Sequence, residues 1–207
     1  MKVTVDLLES WIAREELIFL FKDIYPTGEA DLLEVLTYKS EENQDQIRWF
    51  KHWITEELVA DNLPIPDGVT EVGNLYLIGY EHPLPNSVIE TGDIDLGGYE
   101  LPLPNSIIKT GNICFRGYGF ILPDSIKETG FINLRNYKFP LLNSIIKTGP
   151  IDLDGYKFPL PDSIKETGYL ELEGYEFPLP NSIIKTDSIY VKGYELPIPE
   201  HLKQFVL

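Results

Sequence analysis

One cysteine, Cys114, in 207 residues excludes an internal disulfide and a thiolate metal cluster. That usage fits a reducing compartment, and a cytoplasmic location is the expectation. The three histidines, His52, His82 and His201, stand in unrelated stretches, so neither a His-based metal site nor a Ser/His/Asp relay is spelled out. No run of about 18 apolar residues offers a membrane span. The start MKVTVDLLESW lacks the basic region, apolar stretch and cleavage site of a secretion signal. There is no GxxxxGK[ST] loop, and the glycines follow a long period instead of a GxGxxG fingerprint. No cofactor, no metal and no catalytic residue is expected, and the chain is read as a non-enzyme.

Positive charge is also scarce, with 17 Lys and Arg against 33 Asp and Glu and a net charge of -16. Residues 1–62 hold 14 of the acids and 6 of the bases. A field of this sign repels phosphate, so direct nucleic-acid and anionic-membrane binding are not expected, whereas a basic protein partner is attracted and steered. Solubility is the plainer use of the same charge.

What is abundant is repetition. Starting at Pro64, Pro83, Pro102, Ile121, Pro140, Pro159 and Pro178, with a truncated copy at Pro197, the chain repeats PLPNSIIKTGxIxLxGYxF every 19 residues without a slip. Apolar pairs two apart, from Leu75/Leu77 and Ile94/Leu96 to Ile189/Val191, describe short half-buried strands. Stacked at about 4.8 Å per repeat, they form one parallel sheet. The fold class is therefore mainly β with a helical N-terminal cap: a parallel β-solenoid with a single strand per turn, seven turns plus a partial eighth, over residues 63–207.

The remaining columns each suggest a job. A glycine before each strand (Gly73 to Gly168) and one after it (Gly79 to Gly193) predict positive φ at both strand ends, with Asp187 and Asn136 in the two exceptions. The segment PLP[ND]SI forbids a regular helix, and its Asn/Asp-Ser pair predicts a side-chain cap for one tight turn. Its Val or Ile, Val88 to Ile183, closes the core. The column Tyr80, Tyr99, Tyr118, Tyr137, Tyr156, Tyr175 and Tyr194 is read as a packing ladder in preference to a binding stripe.

The spacing IxLxxYxF resembles the LxLxxNxL core of leucine-rich repeats, with tyrosine where that family places asparagine and LP once per turn as in its short bacterial versions. It is also similar to short glycine-containing LPxxLxxxGxLxLxG repeats of bacterial and bacteriophage proteins. The resemblance covers residues 63–207 and implies a protein-binding scaffold. It departs at the asparagine column and in its slightly short period, which leaves both a curved and a nearly straight solenoid open. In its phage form it implies an inhibitor or anti-defence protein in the host cytoplasm, one that blocks a nucleic-acid-binding host protein.

Residues 1–62 share no repeat. Asp6 to Glu9 has the form of a capping box opening a helix that carries Leu8, Trp11, Ile12, Ile18 and Phe21 and ends at Pro26 and Gly28. A second helix is predicted over 29–37 and a third over about 42–59, with Ile47, Phe50, Ile54 and Leu58 on one face. Covering the first coil is the expected role. A docking module built on Trp49, Trp53 and His52 is the alternative.

What varies between copies is the outward face of the strands, where a solenoid carries specificity. The basic pair Arg116/Arg135 stands beside Asp95 and the acids Asp152, Asp154, Glu171 and Glu173, with Phe131 and Tyr169 in the flanking column. Mixed charge with aromatics is the make-up of a protein-contact surface; a merely solvated sheet face is the other reading. The column Ile89, Ile108, Lys127, Ile146, Lys165, Ile184 is a second candidate, suited to a partner or to self-association. A binding scaffold for a basic protein is thus the first expectation, and a self-assembling solenoid component the second.

Overall fold

Leu75, Ile94, Ile113, Ile132, Ile151, Leu170 and Ile189 lie over one another, each the register partner of the next, in a computed structural model that describes residues 1–135 and 137–207. Ahead of this stack come β1 (Lys2–Thr4), α1 (Val5–Ser10), α2 (Glu15–Ile24), β2 (Glu29–Asp31), α3 (Leu32–Thr37) and α4 (Gln44–Ala60). The repeat region contributes β3 (Glu71–Val72), β4 (Leu75–Tyr76), β5 (Glu90–Thr91), β6 (Ile94–Asp95), β7 (Ile113–Cys114), β8 (Ile132–Asn133), β9 (Ile151–Asp152), β10 (Tyr169–Glu171) and β11 (Ser188–Tyr190), followed by a 3-10 helix, Glu200–Phe205.

The parallel sheet runs β4-β6-β7-β8-β9-β10-β11, so seven strands enclose about six 19-residue turns of a β-solenoid. A second parallel ladder stands on another side of each coil. It begins with β3 beside β5 and continues as single bridges from Glu90 through Lys109, Glu128, Lys147 and Glu166 to Lys185. Strand pairs such as Ile132/Leu134, the PLPNSI isoleucines and the tyrosines fill the space between the ladders, all but sealed from solvent.

Each tyrosine hydroxyl reaches back to the coil before it. Tyr118 donates to the Leu101 carbonyl at 3.1 Å and accepts from the Leu103 amide at 3.0 Å, and Tyr137 and Tyr156 repeat the pattern one and two coils on. The PLP segment cannot form a ladder of its own, so the hydroxyl satisfies backbone groups that burial would otherwise orphan. The rings also stack, with Tyr80 and Tyr99 centroids 6.3 Å apart and Tyr99 and Tyr118 6.5 Å apart.

The two glycine columns turn out to differ. Only the column after the strand has positive φ, +74° at Gly79 and +71° at Gly98, with open space where a Cβ would sit. In the column before the strand no glycine is left-handed; a Cβ on Gly149 would lie 2.8 Å from the Gly130 carbonyl carbon. Close approach of successive backbones, not turn geometry, requires glycine there. Asn136 lies outside the described residues.

The serine caps are also corrected. The turn closes through its own backbone, as in the 3.1 Å bond from the Val88 amide to the Pro85 carbonyl. The hydroxyls of Ser106, Ser144, Ser163 and Ser182 are buried with no partner among the described residues, while Ser125 donates to the Ile107 carbonyl of the preceding coil at 2.6 Å.

The N-terminal segment departs further. Thr4, not Asp6, caps α1, its hydroxyl accepting from the Leu7 amide at 3.1 Å. The expected long helix breaks between α1 and α2, where Ile12 adopts φ 59°. Glu29–Asp31 is a strand, paired antiparallel with β1, instead of the first turn of the second helix. The third helix forms as α4 and buries Ile47, Phe50, Ile54 and Leu58. It lies on the first coil, where the Thr55 hydroxyl accepts from the Gly73 amide at 3.1 Å and Glu56 accepts from the Asn74 amide at 2.9 Å. At the other end Leu202 is buried, and the Leu207 amide donates to the Ile189 carbonyl at 3.1 Å. Both open ends of the stack are covered.

Candidate protein-contact face

The outward strand column reads Tyr76, Asp95, Cys114, Asn133, Asp152, Glu171, Tyr190. Several of its members first serve the backbone: Asp95 accepts from the Gly97 amide, Asn133 from the Arg135 amide and Asp152 from the Asp154 amide, each at 3.0 Å. These Asx turns end the strands and hold the side chains close to the sheet.

The next column pairs across coils. Arg116 reaches back to Asp95 at 3.3 Å, Arg135 reaches forward to Asp154, and Lys192 reaches back to Glu173 at 3.0 Å. The Asp154 carboxylate holds the Arg135 guanidinium above its ordinary range, and Glu173 does the same for Lys192, chiefly through the hydrogen bond. Exposed pairs of this kind contribute little to stability. Their effect on the surface is larger, because they cancel much of the charge. Asp152 and Glu171, adjacent in register, have no ion-pair partner among the described residues. The face thus offers two adjacent acids outside these ion pairs, edged by Tyr169, which is 40% exposed, and by the half-buried Phe131.

Phe131 and Tyr169 belong to a column whose early members form a ladder of their own. Asn74 accepts from the Asp93 amide, Asp93 from the Asn112 amide and Asn112 from the Phe131 amide, at 2.9, 2.8 and 2.7 Å. The chain of polar side chains ends where Phe131 enters, and the column continues as Pro150, Tyr169 and Ser188.

The tryptophans of the docking alternative lie apart from this face. They sit on α4, which packs on β3 and β4 at the first coil, whereas Asp152 and Glu171 follow four and five coils later. Trp53 is partly buried, with Trp11 edge-on at 6.1 Å and Phe50 stacked at 6.4 Å. Trp49 is exposed beneath the Arg14 guanidinium, 5.4 Å from its ring. His52 hydrogen-bonds Glu71 at 3.2 Å, and burial pushes its pKa down. Burial, with Asp95 nearby, pushes the Cys114 thiol up, the opposite of what a reactive thiolate needs.

The exposed Phe19, at 79%, was not singled out from the sequence. It lies with Glu15, Glu16, Leu20 and Asp23 of α2 and with Asn43 and Gln46 in an open cleft of about 610 Å³. Its signal is present, since Phe19 falls midway between the inward Leu17 and Phe21.

Among the described residues no group of three or more His, Cys, Asp or Glu side chains could hold a metal, and no helix is long and apolar enough to cross a membrane. No family model, curated protein or solved structure shows a significant match to the chain.

Proposed function

We propose that this chain is a non-catalytic, acidic protein-binding scaffold, related in design to leucine-rich repeats, whose outward strand face grips a basic protein and inhibits it or links it to another. One observation carries the reading: nineteen-residue columns that hardly change build the interior, while the strand-face columns change at almost every coil. In a solenoid the varying columns of the outer face are where specificity for a partner resides. Asp152 and Glu171 supply the charge, and Tyr169 and Phe131 supply apolar contact beside it. In the form suggested by the likeness to bacteriophage repeats, the partner is a nucleic-acid-handling protein whose basic groove the chain occupies in the cytoplasm of a host.

The experiment is affinity capture from lysate with the intact chain, repeated with Asp152→Lys/Glu171→Lys. The capture of a basic protein that the variant loses, with an affinity that falls as salt rises, is the expected result. A partner held equally by both chains, or an affinity indifferent to salt, rejects this face. An end-to-end assembly has less support, because α4 and the 3-10 helix occupy the two ends of the stack.

A further inference from the structure

We propose that the second ladder face is a self-complementary surface on which two copies of this chain pair antiparallel, about a two-fold axis passing between the Glu128 and Lys147 coils. The face is tied together along its length. Its bridges are tied coil to coil by backbone bonds of 2.8–2.9 Å, from the Ile108 amide to the Ile89 carbonyl through to the Ile184 amide and the Lys165 carbonyl. On it stands an apolar strip with no intrachain cover: Ile89, Ile108, Ile146 and Ile184 are 40%, 47%, 48% and 69% exposed. None of the four is packed away beneath the neighbouring PLP segments.

Charge identifies the occupant. The ladder column reads Glu90, Lys109, Glu128, Lys147, Glu166, Lys185, six members alternating in sign. Turned about the proposed axis, Glu90 faces Lys185 of the second copy, Lys109 faces Glu166 and Glu128 faces Lys147, so every pair is opposite. In the isoleucine column Ile89 then faces Ile184, Ile108 faces Lys165 and Ile146 faces Lys127, so no two lysines meet and each lysine stem lies along an isoleucine. Moving the axis by half a coil sets Glu128 on Glu128 and Lys109 on Lys147, a parallel pairing sets each residue on its own kind, and moving the axis by a whole coil keeps opposite pairs but leaves four facing members in place of six. Repulsion rejects the first two arrangements, and the loss of two facing coils disfavours the third.

Intrachain stacking alone also favours alternation, as Glu166 shows between Lys147 at 4.0 Å and Lys185 at 3.8 Å. It does not account for an exposed isoleucine strip along the same face. The two columns offer twelve residues over six coils, against about 20–30 a side in a standard interface, so the dimer is weak and is sought at concentrations up to ~1 mM.

Sedimentation equilibrium at low salt tests it. The unmodified chain is expected to dimerise with rising concentration, and Glu128→Lys, which creates two like-charged contacts across the axis, to weaken association by about tenfold or more. The double exchange Glu128→Lys/Lys147→Glu restores opposite pairs between copies while placing Lys beside Lys and Glu beside Glu within the chain. Recovery of association to within about threefold supports the two-fold pairing, since an intrachain role makes the double exchange worse than the single one. Ile108→Ser/Ile146→Ser, at exposed positions, is expected to remain folded by circular dichroism and to lose association. A chain monomeric at ~1 mM, association indifferent to Glu128→Lys, or a folded double exchange that fails to recover overturns the proposal.

Discussion

The Tyr156 hydroxyl accepts a hydrogen bond from the Leu141 amide at 2.8 Å, one coil back, and donates to the Phe139 carbonyl at 3.2 Å. That contact makes the ladder a support for buried backbone as well as a stack of rings. Tyr156→Phe keeps the ring and orphans both backbone groups, so it is expected to lower unfolding free energy by about 1–3 kcal/mol in urea titration. Tyr190→Phe, at a position 55% exposed, is expected to stay within about 0.5 kcal/mol. Equal effects from the two would show that the hydroxyl bonds do not matter.

The two glycine columns answer differently to alanine. At Gly98, with φ +71° and open space, the cost is the left-handed backbone alone, about 1–2 kcal/mol. At Gly149 the new methyl meets the Gly130 carbonyl carbon and the Phe131 nitrogen, at 2.8 and 3.0 Å. Neither atom can step aside without moving a coil, so a loss of about 3 kcal/mol or more is expected. Thermal unfolding of the two variants ranks them, and the reverse order refutes the assignment of roles.

Alkali is expected to unfold the solenoid within a defined window. Burial pushes the hydroxyls of Tyr118, Tyr137 and Tyr175 up from 10 to about 12, and those of Tyr99 and Tyr156 further. A raised folded pKa means that the fold holds protons which the unfolded chain releases first. The stabilisation is therefore complete below pH 10 and is lost as pH rises from 10 to about 12. Tyrosinate absorbance of these buried rings should grow together with the loss of circular dichroism. Ionisation well before unfolding contradicts the burial.

Removal of residues 1–60 uncovers Val72, Leu75 and Leu77, each fully buried beneath the cap, and leaves the Gly73 amide without Thr55. Aggregation of the truncated chain is the expected outcome. The milder Thr55→Val is expected to cost about 1–2 kcal/mol, read from its denaturation midpoint. A soluble monomeric truncation with unchanged circular dichroism from the sheet shows that the segment does not serve as a cap.

Much of this architecture could be read from the chain because a solenoid translates sequence into space by one rule. Once Leu75 and Ile94 share a register, Ile113, Ile132 and Ile151 have no freedom to stand elsewhere, and inward and outward columns follow from alternation. The helix break at Ile12, the Thr4 cap and the β1–β2 pair obeyed no such rule, since each depends on a single contact in a segment with no second copy to compare. The partial burial of Trp53 could not be read from the chain for a similar reason. Phe50 is its neighbour on α4, but Trp11 stands at the end of α1, and no spacing specifies how those two helices approach.

The 19-residue register, the buried columns and the identity of the residues that vary were determined by the sequence alone, because hydrophobic alternation and exact repetition leave one way to stack them. Distances between coils were decided only by the tertiary structure. How closely Gly149 approaches Gly130, whether Arg135 turns to Asp154, and which of the acids are left unpaired depend on the tightness and stagger of the stack, and neighbouring coils set these together.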